Sequence, residues 1–203
     1  MRKLVGAVFQ SLDGVMQAPG GPTEDWTGGF EFGGWLPPFS DDKTDDAVGR
    51  LFAQPFDLLL GRKTYEIFAA HWPFVAHNPV ASDFDALNHH IAEMFRRITK
   101  YVATSTPLDH EWANATAIDG DLVEFVRDLK QQAGGDIGVH ASLSVAQALL
   151  AAGVVDELRL VIAPIVAGSG RRLLDGLPSI RLESIQSENS PSGSVLAHYR
   201  VIP

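Results

Sequence analysis

The 203-residue chain predicts an α/β fold: a mostly parallel mixed sheet, flanked by helices on both faces, with a C-terminal antiparallel hairpin. Short apolar runs alternate with helical stretches through most of the sequence, the pattern of parallel strands joined by helical crossovers. The first run, residues 3–9, is apolar on both faces and suits a central strand. The last two runs are joined only by Ser190, Pro191, Ser192 and Gly193, and so short a connection makes them antiparallel. No repeat and no linker divides the chain, so 1–203 reads as a single domain.

After the first strand comes a segment unlike the rest, residues 10–40. It holds seven glycines (14, 20, 21, 28, 29, 33 and 34), four prolines, and the aromatics Trp26, Phe30, Phe32, Trp35 and Phe39. A loop of this length inside a compact domain is usually functional, and this one reads as the cover of a pocket. Residues 45–53 form a helix, with Val48, Leu51 and Phe52 on one face and acids in the first turn. Residues 57–60 are a buried strand, and Gly61 leads into a helix over 63–69. A further helix lies within 84–99, where Leu87, Ile91, Met94 and Phe95 share a face. Residues 100–104 and 115–118 are strands. The helix over 121–132 is the most strongly patterned, with Leu122, Phe125, Val126 and Leu129 at i, i+3, i+4 and i+7, and Asp121 and Glu124 as a capping pair. A strand at 136–140, a helix at 142–152 and a strand at 156–163 follow. The hairpin strands are 180–187 and 194–202.

Composition excludes several function classes. There are no cysteines, so disulfides, thiol catalysis and cysteine-ligated metals are out. The net charge of −9 argues against non-specific nucleic-acid binding. No apolar run is long enough to span a bilayer, and the N-terminus lacks the apolar stretch of a signal peptide, so a cytoplasmic location is expected. The histidines suggest no metal site. His89 and His90 point about 100° apart on a helix, and His71 and His77 flank Trp72 and Pro73.

In open α/β sheets, ligands bind beyond the carboxyl ends of the strands. Four such ends carry chemistry here: Ser11 to Gly14, Gly61 to Thr64, Thr104 with Ser105, and His140 to Ser142. Gly61 permits a tight turn, and Arg62, Lys63 and Thr64 then sit at a helix N-terminus, where amides and the helix dipole favour a phosphate. The bland alternative is a pair of solvated cations. Ala141 and Ser142 form a second strand-to-helix turn, where Ser142 or Ser144 offers hydroxyls or Ser142 merely caps the helix. The Gly168 to Arg172 stretch reads equally as a turn. There is no G-x-G-x-x-G, no G-x-x-x-x-G-K-[ST] and no G-x-S-x-G.

Residues 4–14, with the Ser11-Leu12-Asp13-Gly14 turn, then Gly61-Arg62-Lys63-Thr64-Tyr65, then 154–170 continued by Arg171-Arg172-Leu173-Leu174, occur in an order that resembles the dihydrofolate reductase-like superfamily. The closer resemblance is to its bacterial branch related to the reductase domain of riboflavin biosynthesis. It covers nearly the whole chain. The resemblance implies NADPH in an extended pose. Gly61, Arg62, Lys63 and Thr64 would meet the adenosine phosphates, Thr104 and Ser105 the adenine-ribose side, and Ala141, Ser142, Leu143 and Ser144 the pyrophosphate. Ala141 stands where the family commonly has glycine. The resemblance implies that an acid on the helix after the long loop supplies a proton, with Asp45 the first candidate; Asp13, the acid of the Ser11-Leu12-Asp13-Gly14 turn, is the second, and helix capping or turn bonding is the alternative for both. Ser11 and Trp35 are the expected substrate contacts. The leading expectation is therefore an NADPH-dependent reductase of a small pterin-like, aminopyrimidine-like, carbonyl or imine substrate. The alternative is a non-catalytic nucleotide or small-ligand binder on the same fold. A homodimer is expected by resemblance, and the apolar strands at 156–163 and 194–202 would offer it a sheet-edge or face interface.

Overall fold

The computed structural model describes residues 1–51, 54–75 and 85–202. Its strands are β1 (Leu4–Ser11), β2 (Phe56–Gly61), β3 (Lys100–Ala103), β4 (Ala115–Ala117), β5 (Asp136–His140), β6 (Glu157–Ala163), β7 (Arg181–Asn189) and β8 (Val195–Ile202). The helices are α1 (Asp42–Leu51), α2 (Arg62–His71), α3 (Ala86–Arg97), α4 (Leu122–Gln131) and α5 (Leu143–Ala151). One sheet takes all eight strands in the order β4-β3-β2-β5-β1-β6-β8-β7. The pairs from β4 to β6 are parallel, and β8 pairs antiparallel with both β6 and β7. The α/β fold expected from the alternation is the fold observed.

Side-chain alternation along the strands divides the core between two faces. On one face Leu4, Val8, Ile137, Val139, Leu158 and Leu160 pack against Val126 and Leu129 of α4 and Val145 and Leu149 of α5. On the other, Phe56, Leu58, Leu60 and Val102 pack against Tyr65 and Ala69 of α2 and Ile91 and Phe95 of α3. A smaller cluster of Val15, Ala18, Phe30, Trp35 and Ala163 anchors the 10–40 segment on the end of the sheet.

The boundaries moved for local reasons. β1 runs on to Ser11 because its backbone stays paired with β6 as far as Ala163. α1 begins at Asp42 because the Asp41 carboxylate accepts from the amides of Lys43 (3.0 Å) and Thr44 (2.9 Å). Its expected end at 52–53 lies outside the described residues, as do the start of the 84–99 helix at Phe84 and the side chain of His77. Asp121 caps α4 through the amides of Val123 and Glu124, both at 2.9 Å. Strands β6 and β8 are interior, so neither offers an edge, and the free edge on that side is β7. Among the described residues no helix is long and apolar enough to cross a membrane.

Candidate functional site

Strands β2 and β5 are neighbours, so the turns that follow them lie side by side. The Gly61 amide donates to Ser142 Oγ at 3.0 Å, and Thr64 Oγ1 donates to the Ala141 carbonyl at 3.2 Å. A Cβ on Gly61 would come within 3.2 Å of Val145 Cγ2, so glycine permits the close approach of the turns. Neither α2 nor α5 has a side-chain cap at its N-terminus. Ser142 stands at the N-cap position of α5, but its buried hydroxyl, instead of capping the helix, ties one turn to the other. The first-turn amides of both helices are left to face whatever fills the space between them. Ala141 joins β5 to α5 with φ at +53°, in the left-handed region where glycine is usual.

That space is a groove. One cavity, of about 100 Å³, is lined by Gly61 to Thr64, Ala141 to Ser144, Gln17, Asp25 and Arg171. A second, of about 360 Å³, is lined by Thr104 and Ser105 together with Gly61, Arg62, Lys63 and Ser144. The two cavities are adjacent, with Gly61, Arg62, Lys63 and Ser144 in the walls of both. The residues assigned from the family resemblance to a dinucleotide, Leu143 included, thus line one or other of these two adjacent cavities. Arg62 and Ser142 open onto the same side of the molecule.

The cations are partly exposed but each is paired. Arg62 pairs with Glu66 at 2.7 Å and with Asp109 at 2.6 Å, and also donates to Thr106 Oγ1; these bonds, Glu66 foremost, raise its pKa. Lys63 and Arg171 both end on the carboxylate of Asp25, a residue the sequence reading passed over. Burial acts to raise the Asp25 pKa but is outweighed by the hydrogen bonds from Lys63 and Thr27 and the charge of Arg171, which bring it to about 2. Its only sequence signal was charge: it is one of three acids (with Glu24 and Glu31) between positions 15 and 40, opposite the basic pairs.

The expected catalytic and substrate residues sit elsewhere. Asp45 is exposed on α1, roughly 160° around the helix from Ala47 at 100° per residue. Local desolvation and the charges of Asp85, Asp42, Asp41 and Asp46 raise its pKa, but it lines none of the cavities described here. Asp13 accepts from Ser11 Oγ at 2.6 Å, from the amides of Ala167 (2.9 Å) and Gly168 (3.0 Å), and from Arg172 at 3.1 Å. The Ser11 bond, then those from Ala167, Gly168 and Arg172, outweigh burial and hold it far below the usual carboxylate range. It is an ionised turn anchor with no proton to give. Ser11 is buried, bonded to Asp13 and to the Val15 amide. Trp35 is buried too, its Nε1 donating to the Gln17 carbonyl at 2.9 Å. The polar groups of both, expected to meet substrate, are spent inside the protein in this structure.

A separate cavity of about 330 Å³ lies between α1 and the sheet. Ala47, Arg50 and Leu51 line it from the helix, and Phe9, Arg159, Val161 and His198 from the strands. The carboxylate on its wall is Glu188 of β7, paired with Lys43 at 3.0 Å and Arg50 at 3.1 Å. Arg159 Nε is buried there without a hydrogen-bond partner. A small adjoining cavity shares Arg50 and Arg159 and carries His140, whose ring stacks on Phe56 with centroids 5.8 Å apart. Burial, and then the charge of Arg159, lower the His140 pKa to about 4, so its imidazole is neutral at pH 7. Period-two alternation in β6 puts Arg159 on the face of Glu157 and Val161; that signal was present, but the helix opposite could not be read.

The mostly parallel eight-stranded sheet, with β8 antiparallel between β6 and β7, is a dihydrofolate reductase-like α/β fold. The model of the RibD C-terminal domain family matches residues 2–196, and the chain belongs to that family. It is 27% identical over 145 residues to the uncharacterized protein YyaP of Bacillus subtilis, covering 70% of this chain and 72% of YyaP. Among solved structures it is similar to a protein assigned to riboflavin biosynthesis from Shewanella sp. PV-4, with TM-score 0.68, 18% identity and 99% of each chain covered. It is also similar to the dihydrofolate reductase of Enterococcus faecalis in complex with NADP(H) and RAB-propyl, with TM-score 0.58 and 15% identity, over 99% of this chain and 97% of that one. At these identities the structural likenesses show the fold.

Proposed function

We propose that this chain is an NADPH-dependent reductase acting on a small heterocyclic compound, pterin-like or aminopyrimidine-like, or on a related carbonyl or imine. The observation that carries the reading is the pair of uncapped helix starts, α2 and α5, latched by the Gly61–Ser142 bond along one groove with Lys63, Arg62 and Arg171. Amides at two helix N-termini and flexible cations are the donor set that a pyrophosphate needs. Membership of the RibD C-terminal domain family and the fold shared with an NADP(H)-bound dihydrofolate reductase support the choice of ligand. Arg62, Lys63 and Thr64 would hold the adenosine phosphates, Thr104 and Ser105 the adenine-ribose side, and the Ala141–Ser144 turn the pyrophosphate. When bound, NADPH supplies the hydride; the chain supplies orientation. The cavity under α1, with Phe9, Leu51 and Val161 beside Arg159 and Gln186, offers an apolar slot with polar hooks for a flat ring.

Calorimetric titration and melting with NADPH and NADH test the reading. NADPH at 100 times its Kd should stabilise the fold by about 2.7 kcal/mol. No heat and no shift in Tm would remove the proposal. A second reading, a binder without turnover, is favoured by Asp45 turning away from the cavity and by Ala141 in a left-handed conformation. Steady NADPH oxidation with any member of a pterin and aminopyrimidine panel would refute it. A homodimer formed along the free edge of β7 belongs to the same proposal, and light scattering showing a monomer at all concentrations would count against it.

A further inference from the structure

Lys63 enters the groove from the start of α2, and Arg171 enters it from the stretch after β6. Both end on Asp25, whose side chain is 7% exposed. Thr27 adds its hydroxyl and its amide, the latter at 3.0 Å. A carboxylate gripped by an ammonium, a guanidinium, a hydroxyl and an amide has the partners of a bound phosphate. Asp25 also lines the cavity formed by the two helix starts. The chain thus places an anion of its own at the charged end of the groove.

The tip that carries Asp25 is held by polar contacts rather than by apolar packing: Gln17 Nε2 donates to the carbonyls of Asp25 (3.3 Å) and Thr27 (2.8 Å), and Trp26 Nε1 donates to the Pro22 carbonyl at 2.8 Å. Gly20 and Gly21 precede it, and Gly28 and Gly29 follow it, the latter two with φ at +70° and +75°. Trp26 is 64% exposed. Phe30 and Trp35, farther along, are buried and anchor the rest of the segment. The tip has little apolar burial to lose if Asp25 leaves its partners.

We propose that Asp25 is an internal stand-in for a ligand phosphate. A phosphate-bearing ligand binds by displacing this carboxylate from Lys63 and Arg171, and the tip around Trp26 moves away with it. A dianionic phosphate competes for the same two cations with more charge than one carboxylate. The released carboxylate regains water. This rests on the groove being the nucleotide site.

Calorimetry of wild type and Asp25→Asn with inorganic pyrophosphate, and separately with NADPH, tests it. Circular dichroism checks the fold of each protein. Trp26 emission is followed in parallel, with Trp26→Phe identifying the signal. Asp25→Asn should bind both ligands at least tenfold more tightly, about 1.4 kcal/mol, and pyrophosphate should shift Trp26 emission in the wild type. Equal or weaker binding by the variant would mean that the carboxylate organises the cations, and would overturn the proposal. Should the variant not fold, unchanged Trp26 emission at saturating pyrophosphate overturns it. Tighter pyrophosphate binding without NADPH binding by either protein upholds the displacement and refutes the reductase. Failure of both ligands with both proteins sinks both.

Discussion

Asp13 and Asp25, both in the segment after β1, are kept ionised by different partners. Asp13 is held by a hydroxyl, two backbone amides and Arg172, and so pins the 167–168 loop to the end of β1. Asp13→Ala removes an acceptor from those amides and should lower stability by about 1–3 kcal/mol, measured by urea unfolding. A loss near zero would show that water replaces the carboxylate. Asp25 faces Lys63 and Arg171, and its folded pKa, about 2, lies below the usual 3.8. A depressed carboxylate contributes its stability fully above the unfolded value and loses it as pH falls through the folded value. The tip around Trp26 should therefore loosen between about pH 4 and about pH 2, read by Trp26 emission. Emission that is flat across that window would contradict the ion pairs. Both acids stood in the sequence among turn residues, but only their partners separate an anchor from a displaceable ligand.

Among the elements, the turn between β5 and α5 carries the clearest conflict between residue and conformation. Ala141 has φ at +53°, which costs a residue with a Cβ about 1–2 kcal/mol. Glycine would relieve that strain but adds about 0.4–1 kcal/mol of unfolded-state entropy. Ala141→Gly should therefore not lower stability, and should raise it by at most about 1.6 kcal/mol. It should also tighten NADPH binding by opening the backbone to a pyrophosphate. Melting and calorimetry check the two parts, and weaker binding would show that the methyl group shapes the turn usefully. The helices themselves were legible where local chemistry rules. Asp121 caps α4 as its spacing with Glu124 implied. On α1 the same logic misled: the acids at positions 42 and 45 occupy the first turn, and Asp41 caps it. Helix rotation then leaves Ala47, Arg50 and Leu51 facing the sheet and Asp45 facing away.

At the scale of the whole molecule, the site exists because β2 and β5 pair. Their turns are 80 residues apart in sequence, and the Gly61–Ser142 bond spans 81 positions. The core under α5 holds this arrangement. Leu149 is fully buried between α5 and the sheet, so Leu149→Ala should cost about 2–5 kcal/mol and weaken nucleotide binding as α5 loosens. Urea unfolding and calorimetry on the same variant test both effects. A cost below 1 kcal/mol would mean that the site collapses around the gap.

The sequence by itself determined the element order, the antiparallel ending and the strand-end turns. Those depend on period, capping and loop length, all of which act within about a dozen residues. The resemblance added the expectation that these turns share a ligand. Tertiary structure alone decided that Asp25 meets Lys63 and Arg171 across 38 and 146 residues, and that α1 offers Arg50 rather than Asp45 to the sheet. Contacts of that kind are set by which strands adjoin and how a helix is rotated against them. No local pattern encodes either, because both are fixed only when the apolar faces of distant elements bury one another.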